Sequence, residues 1–365
     1  MKIIVFKDDL MKGIQAVQNS VSSKSTLPIL SHILIEAKKN EIRLTATDLE
    51  IGVVMKIDGE VQEEGSITVP AKKFSEIAKE LPAQQKILVS VKKGQSITIE
   101  AGKSYFRLMG LGREDFPQLP DFSSKTDVIK VPQKLLKGMI QLTSFAMSHD
   151  ETRYVLNGIL FSFKDKALKL VATDGRRLAV VEKSLPEGSV KRDLIVPMKT
   201  IQELNRNLSD EGEALFYFKE NQLQITLGGL TIISRLIEGE YPNYEQVIPK
   251  KIKEELKIST QDFLQAARRA SILTNQDSQS VKINIIKDRL IITKNTPELG
   301  EAREEVEVDY KGGELAIGFN ANFLIDVLKN VDEENILFGF IDPEKPAVIR
   351  NGENYTYVVL PMQVS

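Results

Sequence analysis

Val196-Pro197-Met198-Lys199-Thr200-Ile201-Gln202-Glu203-Leu204-Asn205-Arg206-Asn207-Leu208 has two counterparts in the chain. Val69-Pro70-Ala71-Lys72-Lys73-Phe74-Ser75-Glu76-Ile77-Ala78-Lys79-Glu80-Leu81 precedes it by 127 residues, and Phe319-Asn320-Ala321-Asn322-Phe323-Leu324-Ile325-Asp326-Val327-Leu328-Lys329-Asn330-Val331 follows it by 123. The first two copies open on Val-Pro, where proline halts a strand ladder and suits the first turn of a helix. Ile201, Leu204 and Leu208 then recur at helical spacing. A period near 125 residues is too long for a stacked solenoid unit and fits a whole domain made three times.

Other segments recur with the same period. A first helix is expected from Asp9 to Gln18, with Leu10, Ile14 and Val17 on one face. Lys134 to Leu142 repeats it, aligning Leu135 with Leu10 and Gly138 with Gly13, and Asp262 to Ala270 repeats it again with Phe263 in the Leu135 place. Hairpins are expected around Lys38-Lys39-Asn40, Lys164-Asp165-Lys166 and Lys287-Asp288. Strands at 87–91, 96–99 and 105–108 return at 214–218, 222–226 and 231–236. Each repeat therefore reads as two helices packed on antiparallel strands, an α+β class. Phe116-Pro117 and Tyr241-Pro242 mark linkers, so the expected domains are 1–124, 125–249 and 250–365.

Composition limits the function. The chain has no cysteine, which excludes a disulfide framework and a thiolate metal site and fits a reducing compartment. Met1-Lys2-Ile3-Ile4-Val5-Phe6 turns charged at Lys7-Asp8-Asp9 and reads as a first strand rather than a targeting segment. No apolar run approaches the roughly 20 residues of a membrane span. A formal net charge of −2 is wrong for a protein that coats DNA, so any nucleic-acid role rests on where the charges lie. Lys199 and Arg206 stand at i and i+7 on their helix, as do Lys72 and Lys79 on theirs; Lys12, Lys134, Lys137, Arg268 and Arg269 lie on the other helices. Acid gathers elsewhere, from Asp58 to Glu64 and from Glu301 to Asp309. A lysine on an amphipathic helix is ordinarily a solvated residue. Recurrence at homologous positions favours a basic helical surface that attracts phosphate without reading sequence.

Two turns also repeat. Thr47-Asp48-Leu49-Glu50 and Thr173-Asp174-Gly175-Arg176-Arg177-Leu178 share a place, and Thr293-Lys294-Asn295-Thr296 is a degenerate third copy. Asp and Gly suit a strand-end turn; the second copy adds an exposed pair, Arg176-Arg177. The terminus, Tyr355 to Ser365, continues past a last strand into Leu360-Pro361-Met362, an apolar, adaptable surface suited to a partner. Catalytic features are lacking. The chain has two histidines, His32 and His149; Gly110-Leu111-Gly112 reads as a loop, and no phosphate loop with lysine occurs. No catalytic residue, metal or cofactor is expected. The alternatives are an enzyme processing DNA or nucleotides and a scaffold that meets only protein.

The three-fold repeat, the Thr-Asp-Gly-Arg-Arg-Leu turn and the Val358-Val359-Leu360-Pro361-Met362 tail closely resemble the bacterial DNA polymerase III beta-subunit family, the sliding clamps. Thr26-Leu27-Pro28-Ile29-Leu30, Thr45 to Glu50 and Arg153 to Gly158 carry the resemblance further. It implies three clamp-fold domains in a head-to-tail homodimer, a ring around double-stranded DNA that makes the replicative polymerase processive in the cytoplasm, at the nucleoid. Implied partners are DNA of any sequence, a second copy, the polymerase alpha subunit, the clamp loader, and other polymerases, mismatch-repair and ligase factors carrying clamp-binding peptides. The implied peptide cleft is Leu156, Thr173, Gly175, Arg177, Leu178, Pro242, Val247, Asn320, Phe323, Val359, Leu360, Pro361 and Met362. Lys24, His149, Arg153 and Tyr154 match DNA-contact positions, beside Lys199 and Arg206. The dimer contact maps to Lys73, Lys103, Phe106, Arg107 and Leu108 against Ile272, Leu273, Glu298, Glu301 and Glu304, opposite in charge as a closed heterologous contact requires. Gln363-Val364-Ser365 departs from the family's usual basic-plus-Leu finish, and Phe323 stands where tyrosine is common. Helix widths favour two chains: six inner helices, each about 10 Å across, leave a hole of about 9 Å, and twelve leave about 28 Å, enough for duplex.

Overall fold

The protein is described here by a computed structural model covering all residues except 23–25, 40, 84, 93–94, 123–127, 187–190, 276–277, 298 and 364–365. Asn40, Lys24, Glu298, Val364, Ser365 and the expected boundary at 124/125 lie outside the described residues.

The first repeat runs β1 (Lys2–Phe6), α1 (Lys7–Val17), β2 (His32–Lys38), β3 (Glu41–Thr47), β4 (Ile51–Ile57), β5 (Glu60–Glu63), β6 (Gly65–Pro70), α2 (Ala71–Glu80), β7 (Lys86–Lys92), β8 (Ser96–Ala101) and β9 (Ser104–Met109). The second runs β10 (Val128–Pro132), α3 (Gln133–Gln141), β11 (Gly158–Lys164), β12 (Ala167–Thr173), β13 (Arg177–Ser184), β14 (Arg192–Pro197), α4 (Met198–Asn207), β15 (Glu213–Lys219), β16 (Gln222–Leu227) and β17 (Leu230–Arg235). The third runs β18 (Glu254–Ser259), α5 (Thr260–Ser271), β19 (Ser280–Ile286), β20 (Arg289–Thr296), β21 (Gly300–Glu307), β22 (Leu315–Asn320), α6 (Ala321–Asn330), β23 (Asn335–Phe340), β24 (Ala347–Asn351) and β25 (Tyr355–Val359). The class is α+β. The strands pair antiparallel, and the stretches quoted first are strand ends followed by α2, α4 and α6, with Pro70 and Pro197 closing β6 and β14.

The chain forms two compact units. One contains Met1–Leu136 and Gln202–Leu236, the other Lys137–Ile201 and Ile237–Ser365. The first holds a five-stranded sheet, β5-β1-β7-β8-β9, and an eight-stranded sheet, β10-β15-β16-β17-β4-β3-β2-β6. In the second lie an eight-stranded sheet, β14-β11-β12-β13-β25-β24-β23-β18, and a four-stranded sheet, β21-β20-β19-β22. Each eight-stranded sheet thus joins strands of two repeats along one seam: β17 against β4, with Ile232 opposite Val53, and β25 against β13, with Tyr357 opposite Ala179. β9 and β21 are edge strands.

Helical periodicity places the cores. Leu10, Ile14 and Val17 of α1, Ile201 and Leu204 of α4, and Leu324 and Leu328 of α6 are buried, as their spacing requires. Burial corrects one alignment: in α3 it is Leu136, Met139 and Ile140 that are buried, and Leu135 is only half-buried. Leu136 therefore holds the place of Leu10. The glycines that suggested the other register do different work. A Cβ on Gly13 would lie 2.6 Å from Ile57 and 2.7 Å from Leu44, whereas one on Gly138 meets nothing within 4 Å.

Candidate partner cleft and nucleic-acid interface

The cleft candidates begin at the turn between β12 and β13. Thr173 Oγ1 donates to Arg177 O at 2.5 Å and accepts from Gly175 N at 3.0 Å. Asp174 Oδ1 accepts from the backbone of Arg176 and Arg177 at 2.8 and 3.0 Å. The first-repeat turn is built identically: Thr47 Oγ1 bonds Ile51 O and Leu49 N, and Asp48 Oδ1 accepts from Glu50 and Ile51. Its third residue, Leu49, takes a left-handed φ of 77°, and Gly175 meets the same demand at 86° without a side-chain clash. Thr and Asp are thus turn-forming in both copies. In the third repeat β20 runs straight through the expected copy; counted from the preceding hairpin, the counterpart of Thr173 is Asn295.

Arg177 departs from the sequence reading, which left Arg176-Arg177 exposed. The Arg177 side chain is 9% exposed. Its Nε meets Asp174 Oδ2 at 3.0 Å, Nη1 meets Asp326 Oδ2 at 2.7 Å, and Nη2 donates to Phe145 O at 2.6 Å. Its guanidinium also lies over the rings of Phe323 and Phe145. Burial opposes the charge, but the Tyr357 phenol and the carboxylates of Asp326 and Asp174 outweigh burial and leave the group more basic than an ordinary arginine. Burial likewise pushes the Tyr357 phenol up, and its hydroxyl donates to Phe323 O at 2.9 Å. One arginine therefore ties the turn, α6 and the short helical turn Ser144–Ala146 together.

Around it the other candidates gather in the second unit. Leu178 packs in an apolar cluster with Leu160, Val171, Ile195, Ile237, Val348 and Val358, against which Tyr241, Tyr244 and Ile248 lie. Val247 of the short turn Tyr244–Val247 is exposed, and Leu156 is buried. Val359 is buried opposite Arg177. The tail leaves β25 with Leu360 N donating to Arg176 O at 3.0 Å, then bonds Gly318 O through Met362 N at 2.8 Å. Leu360 and Met362 keep exposed apolar surface. Asn320 is a buried helix cap: its side chain accepts from Asn322 N at 2.9 Å and donates to Gln279. Pro242 is exposed and Pro361 half-buried. Asp326 was not legible in sequence, because its partner lies 149 residues away.

The loop of His149, Arg153 and Tyr154 is organised by Asp150, whose carboxylate accepts from Thr152 N and Oγ1 at 3.0 and 2.7 Å. Those bonds from Thr152, aided by Arg153, hold the Asp150 pKa below the usual range. Tyr154 stands 59% exposed and His149 is exposed. Arg153 donates to Asp174 O at 2.7 Å, which joins this loop to the cleft turn. Lys199 and Arg206 are exposed on α4, but Arg206 is ion-paired with Glu203. Of the dimer candidates, Lys103, Phe106 and Arg107 are exposed on or beside β9, Leu108 is half-buried there, and Lys73 pairs with Glu76 at 2.6 Å on α2. Ile272 is 74% exposed after α5, Leu273 follows it, and Glu301 and Glu304 lie on β21, Glu304 bonded to Arg269. Tyr105 and Met109 on β9, and Leu299 ahead of β21, are exposed apolar side chains that the sequence reading passed over. Among the described residues no helix is long and apolar enough to cross a membrane.

Comparison with known proteins covers the whole chain. Family models for the N-terminal, central and C-terminal domains of the DNA polymerase III beta subunit match residues 1–120, 130–243 and 245–363. A beta sliding clamp of Escherichia coli K12 is 34% identical, covering all of both chains, and that of Chlamydia muridarum is 32% identical over all of this chain and 99% of its own. Among solved structures, a sliding clamp of Pseudomonas aeruginosa bound to griselimycin has a TM-score of 0.94 at 35% identity, and one from Bacillus subtilis 0.94 at 32%, both chains covered completely in each case.

Proposed function

The chain belongs to the DNA polymerase III beta-subunit family, the DNA sliding clamps, and on that premise we propose that two copies close head to tail around duplex DNA and hold a polymerase there by a peptide cleft. The carrying observation is the seam. Ile232 and Tyr357 occupy one place in the repeat, opposite Ile225 and Ile349 of the neighbouring strand; Phe106, opposite Ile99, is the third occupant. Val53 and Ala179 occupy another, opposite Ala46 and Ala172; Ala302, opposite Lys294, is the third. The chain makes this junction twice within itself and leaves its two halves, β9 and β21, as open edges. An open edge is a template for another strand, and a second copy offers the missing half. β9 brings Arg107 and the turn before it Lys103, β21 brings Glu301 and Glu304, so the charges are complementary.

Within this reading the three domains are 1–124, 125–249 and 250–365. Lys24, His149, Arg153, Tyr154, Lys199 and Arg206 face phosphates and steer the duplex without reading bases. The cleft at Arg177, Phe323 and the tail takes peptides of the polymerase alpha subunit, the clamp loader and repair factors in the cytoplasm. The protein has no chemistry of its own; its work is topological. The test is to load it on a nicked circle and then linearise the DNA. Loss through the free ends is expected, and retention on the linear product would refute encirclement.

A further inference from the structure

We propose that Asp326, acting with Asp174 on Arg177, sets the cleft's preference for apolar over acidic ligand side chains. The inference rests on the cleft reading above and goes beyond it to specificity. Arg177 is the cation at the cleft's floor, and an arginine beside a binding surface would ordinarily attract carboxylates bidentately. Here it cannot do so cheaply. Its Nε and Nη1 already meet Asp174 and Asp326, and Nη2 donates to the Phe145 carbonyl. With 9% of its side chain exposed, beneath the Phe323 ring, it is more hidden than Asp326, at 33%.

A ligand carboxylate would therefore meet two carboxylates around one guanidinium, a local charge of its own sign. It would lose its water to reach a guanidinium whose Nε, Nη1 and Nη2 are each already engaged. An apolar ligand side chain meets Phe323, Leu360, Met362 and Val247 and suffers no such loss. Selectivity of this kind is a difference of two affinities, and the repulsive element supplies part of it. Asp326 is the removable half: Asp174 also forms the turn, through Arg176 N and Arg177 N, whereas the Asp326 side chain projects from α6. Asp326 is a positioning residue that acts through Arg177.

The test uses the full-length chain and two short fluorescent peptides that differ only in leucine or aspartate at one cleft-facing position. Dissociation constants are measured by anisotropy for wild type, Asp326→Asn, Asp326→Ser and Asp326→Glu. The expected result is a wild-type preference for the leucine peptide that shrinks about tenfold in the Asn and Ser variants and returns with Glu. A general loss of packing would weaken both peptides alike, so an unchanged ratio in Asn and Ser overturns the proposal. Failure of both to fold, read by circular dichroism, overturns it as well. A distinct outcome strikes the cleft reading itself: wild-type binding that survives deletion of residues 360–365.

Discussion

The guanidinium carbon of Arg177 lies 4.5 Å from the centre of the Phe323 ring, although the two residues belong to different repeats. The contact is a cation over an aromatic face, held by Asp326 one helical turn beyond Phe323. Phe323 is half-buried, so its outer face is available to a ligand. Phe323→Ala should weaken partner-peptide binding by about 1–2 kcal/mol, the range of a well-placed aromatic anchor. Calorimetric titration checks it, with an unchanged far-UV spectrum as the control.

The tail should be separable from the fold. Beyond β25 its backbone bonds are Leu360 N to Arg176 O and Met362 N to Gly318 O. Deleting residues 360–365 removes the exposed apolar side chains of Leu360 and Met362 and leaves β9 and β21 untouched. Peptide binding should fall at least tenfold, in line with the loss of an apolar wall. The mass in solution should remain that of the dimer, as light scattering would report.

Arg206 should contribute less to DNA contact than its charge suggests. It is ion-paired with Glu203 one turn earlier on α4, and a compensated cation releases fewer counterions from DNA. Arg206→Ala should therefore reduce the slope of DNA retention against log salt by less than the value of about 1 that a full phosphate contact supplies. A reduction of about 1 would show that the pairing does not persist on DNA.

Glu203 itself carries a pH dependence. Its side chain is 5% exposed, one of its oxygens lacks a hydrogen-bond partner, and burial raises its pKa more than Arg206 lowers it. A carboxyl whose folded pKa exceeds its unfolded one favours the folded state below the unfolded value. That contribution is lost as pH rises through the folded value. Glu203→Gln should therefore raise the apparent Tm by about 2 °C at pH 7 and leave it unchanged near pH 4. Calorimetric scans at the two pH values check this.

Much of the architecture was legible because apolar spacing in helices and hairpins is local, and three copies made the pattern redundant. The errors came where local likeness misled. Gly13 and Gly138 look alike in sequence, yet only Gly13 is pressed by Leu44 and Ile57, so the helices align on Leu136. Arg177 read as exposed because the carboxylate that draws it inward, Asp326, comes from another repeat. β5, in the acidic run after Asp58, is an extra strand on the edge of the first sheet, beside β1. Nothing in its alternation distinguishes it from a charged loop.

The seam gives the sharpest prediction. Both internal copies pair antiparallel, and both imply one register for β9 against β21 of a second chain: Phe106 opposite Ala302. Opposed residues in such a pair stand about 4.5–5.5 Å apart at Cα, inside the range a disulfide spans. The chain has no cysteine, so an engineered pair has no native competitor. Phe106→Cys with Ala302→Cys should cross-link under mild oxidation into a covalent dimer at both contacts, and either single variant should stay monomeric on a non-reducing gel. Moving the second cysteine one residue along, to Glu301→Cys, turns its side chain to the other face of the sheet and should abolish the cross-link. Efficient cross-linking of the shifted pair instead would mean that the junction between chains does not copy the junctions within it.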